Sequence, residues 1–293
     1  MTRLAARMLP DGRRLFLADG PIELVIEAWG GAEAVQAAYA AARRRAATIL
    51  DELCAELPAL RRQARPGDAP LTGVVARRMQ AAVAPFAGAL FITPMAAVAG
   101  AVAEEVLAAM TEAAPLDRAY VNDGGDIAIH LAPDQALTVG LVDRPDRPGL
   151  FGTAVLRANE DVRGIATSGW RGRSHSLGIA DAVTVLARTA AQADAAATVI
   201  ANTVDLPGHP AVRRIPAAEL APDSDLGMLP VTRAVGPLAD EEVDGALRRG
   251  AACADDLAQR GLISAAALHL NGQTVTTPEK RVVGGADRTI SPA

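Results

Sequence analysis

The middle of the chain contains strand-forming segments that follow one another directly instead of alternating with helices. Each segment is short and bounded by turn residues, and together they cover residues 119–121, 127–131, 137–142 and 153–157. Such segments pair readily as antiparallel neighbours, whereas parallel strands need a long, usually helical, crossover between them. The pattern predicts an α+β fold with a mainly antiparallel sheet packed against long helices, and it argues against a doubly wound fold.

Helices and hairpins are predicted on both sides of these strands. Apolar residues recur every three or four positions over 32–60, and further helices are predicted over 74–84, 94–112 and 240–260. Hairpins are expected over 13–28 and over 268–275, the second with Asn271-Gly272 as its turn. We predict one domain over 1–280 and a flexible tail over 281–293, since a chain of 293 residues can bury an ample core.

Charge and cysteine content restrict the class of protein. The formal net charge is −5, so nucleic acid has no global electrostatic attraction to this chain. Cys54 and Cys253 show no CxxC spacing, and the N-terminal residues lack the apolar core of a secretory signal. We therefore expect a cytoplasmic protein without a nucleic-acid partner. Its alanine-rich helical faces permit a homo-oligomer without requiring one.

One uncharged stretch, residues 79–103, is long enough to cross a bilayer. It is interrupted by Pro85, Gly88, Pro94 and Gly100, and its apolar residues are mostly alanine. Thr93-Pro94 has the form of a helix start, with threonine as the cap and proline in the first turn. We interpret the stretch as buried core and expect no membrane insertion.

A glycine-rich turn connects the first two central strands and reads Asn122-Asp123-Gly124-Gly125-Asp126. This is ordinary hairpin chemistry, since glycine supplies the positive φ values of a tight turn. The same residues suit a binding site, because paired glycines let a ligand approach the backbone. Asp123 or Asp126 would then bind a hydroxyl or order the loop. Both interpretations stay open at this point.

The stretch over 166–174 is dense in groups that bind anions. It reads ATSGWRGRS, and a single glycine separates Arg171 from Arg173. Arginine forks and the amides of small residues match phosphate oxygens, so a phosphate cradle is one interpretation and a plain surface loop is the other. Ser168 as an acyl-transfer nucleophile is disfavoured. The Gly-x-Ser-x-Gly elbow is missing, and its only nearby base would be His175.

Asp194, Thr198 and Asn202 form a polar stripe on an otherwise alanine-rich helix that is predicted to start near Thr189. Thr189 and Gln192 have capping-box spacing, which places Asp194 early in the helix. A carboxylate and a hydroxyl one turn apart offer oxygen ligands on one face, as Mg²⁺ prefers. In the alternative, Asp194 interacts with the helix dipole and Thr198 bonds back to a carbonyl.

The order of five segments resembles the ApbE-like superfamily, whose characterised members are FAD:protein FMN transferases. The chain is most similar to an uncharacterised cytoplasmic branch of that superfamily. The segments are 92–103 (ITPMAAVAGAVA), 121–127 (VNDGGDI), 164–170 (GIATSGW), 176–185 (SLGIADAVTV) and 193–198 (ADAAAT). The resemblance implies an ApbE-like, T-fold-like architecture with a site for a flavin nucleotide.

Residue by residue, the resemblance implies a ligand pocket and a metal site. Asp194 and Thr198 would hold Mg²⁺, helped by a backbone carbonyl of the earlier helix. FAD would be the substrate or ligand, its pyrophosphate cleaved with metal assistance and its FMN passed to a threonine of an acceptor protein. The resemblance and the phosphate-cradle interpretation together give the ligand-binding residues Asn122, Gly124, Gly125, Asp126, Thr167, Ser168, Gly169, Arg171 and Arg173.

Two motifs depart from the transferase pattern. The transferases have a histidine followed closely by an Asp-Pro pair, whereas His175 is followed by Ser-Leu-Gly-Ile-Ala-Asp. They also carry a Lys-Gly pair where this chain has Ala99-Gly100. We therefore keep His175 as the candidate catalytic base and retain three hypotheses. The first is an FMN transferase or flavin pyrophosphatase. The second is a module that binds flavin or nucleotide without cleaving it. The third is a hydrolase or transferase for another phosphorylated small molecule.

Overall fold

The computed structural model describes residues 3–142, 150–278 and 283–284. Its helices are α1 (Ala32–Leu60), α2 (Val74–Val83), α3 (Val98–Ala113), α4 (Ala190–Thr203), α5 (Ala217–Leu220) and α6 (Asp240–Gln259). Its strands are β1 (Ala5–Met8), β2 (Leu15–Asp19), β3 (Ile22–Trp29), β4 (Arg118–Asp123), β5 (Asp126–Leu131), β6 (Ala136–Val142), β7 (Leu150–Arg157), β8 (Gly164–Ser168), β9 (Ala182–Ala187), β10 (Val212–Pro216), β11 (Pro230–Val235), β12 (Ala265–Leu270), β13 (Gln273–Thr277) and β14 (Val283–Gly284).

Within the described residues, nine strands form one sheet in the order β1-β2-β3-β4-β5-β8-β9-β12-β13. Every neighbouring pair in this sheet is antiparallel. Hairpin connections build both ends of the sheet, while β8 and β9 complete its centre next to β5. The predicted α+β class with a mainly antiparallel sheet is confirmed.

The two faces of the sheet are covered differently. The long helices pack on one face, where the main core includes Leu24, Ile49, Val106 and Ile200. On the other face a small sheet, β14-β7-β6, covers only the centre and encloses a second core that includes Leu156 and Ile165. The ends of β5, β8 and β9 therefore lie between a helical layer and the small sheet, where a cavity remains between the layers.

The crossing of α3 and α4 brings two backbones into direct contact. A side chain at Gly100 would place its Cβ 2.4 Å from the carbonyl oxygen of Ala190, so only glycine fits there. Each helix also supplies a carboxylate to the first turn of the other. Glu104 Oε1 accepts from the N–H of Ala191 at 2.7 Å, and Asp194 Oδ2 accepts from the N–H of Gly100 at 3.1 Å. First-turn N–H groups lack partners within their own helix and favour anions, so these bonds stabilise the crossing and fix Asp194.

Several local predictions agree with the structure. Helix α1 spans the predicted residues, and the Thr189 hydroxyl caps α4 by accepting from the N–H of Gln192 at 3.3 Å. Asn271 and Gly272 have the positive φ values, 49° and 83°, of a tight hairpin turn. The second half of the uncharged stretch folds as a short 3₁₀ turn, Pro94–Ala97, followed by α3, but the predicted cap Thr93 makes no capping hydrogen bond with its side chain.

One helical stretch, Pro94–Ala113, has the length and apolar composition of a membrane span, by those two criteria alone. Half of its apolar window is buried inside the protein. Val102, Val106 and Met110 belong to the main core. The apolar character of this stretch thus serves the packing between the helices and the sheet.

Other local predictions were incomplete. Strands β1, β8 and β10 were missed, and the first three residues of the predicted loop over 166–174 are the end of β8. Strand β1 is exposed along its whole length, so it carries no apolar alternation. In the predicted tail, β14 pairs with β7, while the remaining tail residues lie outside the described residues.

Replacing Gly100 by alanine tests the crossing. We expect Gly100→Ala to lower the free energy of unfolding by at least about 2 kcal/mol, because the added methyl group meets backbone that cannot move independently. Gly245→Ala in α6 is the matched control, since a Cβ there meets nothing closer than 4.0 Å. It should raise stability by about 0.5 kcal/mol by restricting the unfolded chain. Urea denaturation of both variants measures the difference, and equal midpoints would contradict the packing argument.

Candidate functional site

A cavity of about 300 Å³ lies where the β4–β5 turn, the end of β8 and helix α4 meet. Val139, Gly140 and Val142 of the small sheet form its opposite wall. Most of the predicted site residues line this cavity: Asn122, Gly124, Gly125, Asp126, Thr167, Ser168, Gly169, Arg173, Asp194 and Thr198. Segments far apart in the sequence are thus assembled around one volume.

The β4–β5 turn is both a structural turn and a wall of the cavity. Asn122 Oδ1 accepts from the N–H of Gly125 at 2.8 Å, and both glycines have positive φ, 64° at Gly124 and 117° at Gly125. Asp126 Oδ1 accepts from the N–H of Thr167 at 3.1 Å. This bond connects the turn to β8. The turn is therefore a structural hairpin turn and, at the same time, part of the wall of the cavity.

The segment that follows β8 packs directly against the residues that precede β9. A Cβ at Gly169 would lie 2.4 Å from the carbonyl oxygen of Asp181, so the backbones touch there. The N–H of Trp170 donates to the carbonyl of Ala180 at 3.0 Å. The hydroxyls of Thr167 and Thr184 lie 2.9 Å apart and share a hydrogen bond. These contacts hold the segment containing Ser168 and Gly169 against the cavity.

The two arginines of this segment have different environments. Arg171 Nε donates to Asp181 Oδ1 at 2.5 Å, and its guanidinium lies 4.3 Å from the ring centroid of Trp170. Asp181 also accepts from the indole N–H of Trp170 at 3.2 Å and from the N–H of Asn271 at 2.7 Å. Arg171 is not among the cavity-lining residues and instead braces the loop. Asp181 was missed by the sequence analysis, since nothing in its local pattern indicates these contacts.

Arg173 lines the cavity and is the arginine positioned for a bound anion. Its NH1 donates to Glu23 Oε2 at 3.1 Å, and 61% of its side chain is exposed. An exposed ion pair of this kind contributes little to stability and is easily exchanged. Arg173 can therefore leave Glu23 for a phosphate at small cost.

Asp194 and Thr198 both reach the cavity from α4, whereas Asn202 does not. Asn202 Oδ1 accepts from the Ser176 hydroxyl at 3.2 Å and from the N–H of Leu177 at 2.9 Å. The polar stripe thus divides into two cavity-facing residues and one that anchors a loop. Over the part of the chain that the structure describes, no group of three or more His, Cys, Asp or Glu side chains is arranged to hold a metal ion. Any ion here would need further ligands.

Three carboxyl groups near the cavity have raised pKa values. Burial raises the pKa of Asp123 to about 7, and burial together with the charge of Asp123 raises that of Asp126 to about 7. Burial and the neighbouring charge of Asp126 raise the pKa of Asp194 well above its usual value. Among the described residues no cation forms an ion pair with Asp126 or Asp194. Asp126 and Asp194 are thus partly buried acidic groups without an ion pair among the described residues, an arrangement that favours protons or a metal cation.

His175, the predicted catalytic base, lies outside this cavity. It is half-buried and is not among the cavity-lining residues in the described part of the chain. Its catalytic role stays a prediction without support from the geometry.

A second cavity of about 520 Å³ adjoins the first one. It lies between α1, α3 and the β2–β3 hairpin, with apolar walls that include Leu53 and Val98. Gly124, Asp126 and Arg173 line both cavities, so one side of the turn faces polar groups and the other faces apolar ones.

Comparison with known proteins gives a family and partial relatives. The profile of a family described as AbpE bacteria matches residues 6–276. A UPF0280 protein of Methanopyrus kandleri is 42% identical over 131 residues, which cover 44% of this chain and 48% of that protein. One from Methanothrix thermoacetophila is 42% identical over 120 residues, covering 40% and 49%. The chain therefore spans about half the length of the curated relatives that it matches.

Two solved flavin transferases match this chain at low sequence identity. The apo form of the Pseudomonas stutzeri flavinyl transferase ApbE gives a TM-score of 0.45 at 12% identity, covering 96% of this chain and 95% of that one. The flavin transferase ApbE of Vibrio cholerae gives 0.33 at 12% identity, covering 93% and 96%.

The raised pKa values predict how stability depends on pH. A buried carboxyl with a pKa of about 7 keeps its proton in the folded state after the unfolded chain has lost it near pH 4, so stability falls as pH rises from 4 to 7. We expect Asp123→Asn to remove part of this loss. The free energy of unfolding of the variant, relative to that of wild type, should increase by on the order of 1–3 kcal/mol as the pH rises from 4 to 8.

Urea denaturation across this pH range measures the gain, and Asp161→Asn, at an exposed position, is the control. If the free energies of unfolding of wild type and Asp123→Asn differ by the same amount at every pH, the raised pKa of Asp123 is refuted.

Proposed function

This chain belongs to the family described as AbpE bacteria, and on that premise we propose that it binds a flavin dinucleotide and cleaves its pyrophosphate with Mg²⁺. FMN would pass to a threonine of an acceptor protein. The observation that supports this most is the single cavity joining Asp194 and Thr198 to the glycine turn, the Ser168-Gly169 segment and Arg173. A pyrophosphate needs cationic and N–H groups, and a metal ion needs oxygen ligands, so such a cavity suits both.

The residues fit Mg²⁺ as an ion shared with a substrate. The two proposed ligands on α4, Asp194 and Thr198, supply one carboxylate and one hydroxyl, fewer ligands than a site made of protein alone. Mg²⁺ characteristically keeps several waters and takes its remaining ligands from substrate phosphates. Asp194 and Asp126 have raised pKa values and no ion pair among the described residues, so a cation can replace a proton at these carboxyl groups. When bound, Mg²⁺ would neutralise charge on the pyrophosphate oxygens.

The reaction requires a group that accepts a proton. The acceptor threonine oxygen bonds to the phosphorus of the FMN half, and the bond from that phosphorus to the bridging oxygen breaks, so AMP leaves with that oxygen. The hydroxyl proton must go to a base. Asp126 lines the cavity and has a pKa near neutrality, whereas His175 lies outside, so we assign the base to Asp126.

A second function, binding without cleavage, is favoured by the position of His175. If the histidine of the transferases has no replacement in the cavity, the same residues would hold flavin without turning it over. Titration calorimetry with FAD, with and without Mg²⁺, followed by chromatography of the nucleotides, distinguishes the two. FMN and AMP support cleavage, FAD bound and unchanged supports a binding module, and no binding rejects both.

The metal ligands are tested by a matched pair on α4. We expect Thr198→Val to lower Mg²⁺-dependent release of FMN by about tenfold or more, since it removes an oxygen ligand, and Asp194→Asn by at least about 100-fold, since it removes the negative charge of the other ligand. Thr203→Val is the control, because its hydroxyl donates to the carbonyl of Ile200 and lies outside the cavity. A Mg²⁺ requirement unchanged in both variants would remove the metal site from this proposal.

The proton acceptor is tested by Asp126→Asn and His175→Gln. Asparagine keeps the hydrogen bond from the Thr167 N–H but cannot take a proton at neutral pH. We therefore expect Asp126→Asn to bind FAD and to release FMN at least about 100-fold more slowly. His175→Gln should keep the wild-type rate. Loss of turnover in His175→Gln alone would return the catalytic role to the histidine.

A further inference from the structure

A separate cavity of about 580 Å³ lies at the N-terminal end of α1, away from the candidate site. It forms because β3 continues to Trp29 while its partner β2 begins at Leu15, which pairs with Ile26. Beyond Ile26, strand β3 has no β2 neighbour, and the space between it, the β1–β2 turn and α1 stays open. None of the residues that line this space contributes to the flavin site proposed above.

Tyr39 maintains this opening. Its hydroxyl accepts from the N–H of Ala28 at 3.2 Å and donates to the carbonyl of Arg13 at 2.6 Å. It thereby satisfies a strand N–H that β2 leaves without a partner and holds the turn away from β3. Ala32 and Val35 of α1 and Trp29 are among the apolar residues that line the cavity, and its other polar lining residues are Arg13, Glu27, Gln36 and Arg43.

Glu27 places a nearly buried carboxylate in this cavity. Only 9% of its side chain is exposed, yet the cation beside it is Arg13, which is 71% exposed and lies 3.5 Å away. The Tyr120 hydroxyl donates to the carboxylate at 3.3 Å. A buried charge is costly without a close partner, and an exposed, distant arginine compensates it weakly. Within the described residues, the ion-pair partner of this carboxylate is thus an exposed arginine, while Arg14 adds a favourable charge nearby.

We propose that this cavity binds a small organic cation, a primary amine or a guanidine, whose charged end pairs with Glu27 in place of Arg13. The alkyl stem of the ligand would lie along the apolar wall formed by α1. Arg13 at the mouth occupies the position that the ligand cation takes, so it competes with the ligand.

Because Arg13 competes with the ligand, Glu27→Gln and Arg13→Gln should change the affinity for the ligand in opposite directions. Calorimetric titration with agmatine and with spermidine should show binding to wild type, weakened at least tenfold in Glu27→Gln. In Arg13→Gln binding should tighten about threefold or more, because the competing guanidinium is gone. Glu33→Gln and Arg44→Gln are controls for the change of charge, since both residues are exposed and neither side chain lines the cavity. Both controls should bind as wild type does.

Each remaining outcome has a definite meaning. Absence of binding to both wild type and Arg13→Gln at millimolar amine overturns the proposal, as does equal weakening in Glu27→Gln and Glu33→Gln. A tripeptide with a central arginine serves as a further probe. If it binds through Glu27 while the free amines do not, the cavity accepts a side chain of another protein and the small-molecule assignment is wrong. Loss of FAD binding alone leaves this proposal intact, because the two cavities are separate.

Discussion

The contact between α3 and α4 at Gly100 is the constraint on which the candidate site depends. The helices approach until backbone meets backbone, and this brings the first turn of each within reach of a carboxylate on the other. Glu104 is further paired with Arg78 at 3.1 Å, so its charge is balanced. Asp194 has helical N–H groups but no cation among the described residues. The same helix contact therefore holds two carboxylates with different surroundings: Glu104 is paired with an arginine, and Asp194 lines a cavity.

This difference extends to the other acidic residues. Glu105 is held by Arg45 and Arg78 at 2.8 and 3.0 Å, as expected of carboxylates that serve stability. Asp123 and Asp126 instead lie beside a cavity. Their pKa values are raised, and burial is the largest cause. A fold seldom keeps uncompensated carboxyl groups together unless a ligand or a reaction uses them. The electrostatic cost at the cavity is thus itself an argument for function.

Much of the fold could be predicted from the sequence because its signals are local. The apolar period of α1, the threonine cap of α4 and the Asn271-Gly272 turn each depend on a few neighbouring residues. Strand β8 was missed because its first three residues are all buried, so no alternation marks it. Arg171 and Arg173 carry the same chemistry two positions apart, and only the tertiary contact with Asp181 directs one of them away from the cavity. Side-chain direction at a site is therefore set by partners distant in sequence.

The departures from the transferase pattern have a coherent physical consequence. Where the transferases have a lysine, this chain has Ala99, so no ammonium group reaches Asp194 from that position. The N–H groups of Ala99 and Gly100 serve the carboxylate instead, and they supply only partial positive charge. A carboxylate without an ammonium neighbour binds a proton or a metal cation more readily. Under the proposed function, the loss of one cationic side chain would therefore make this site depend more on an external cation, with Asp126 as the proposed proton acceptor.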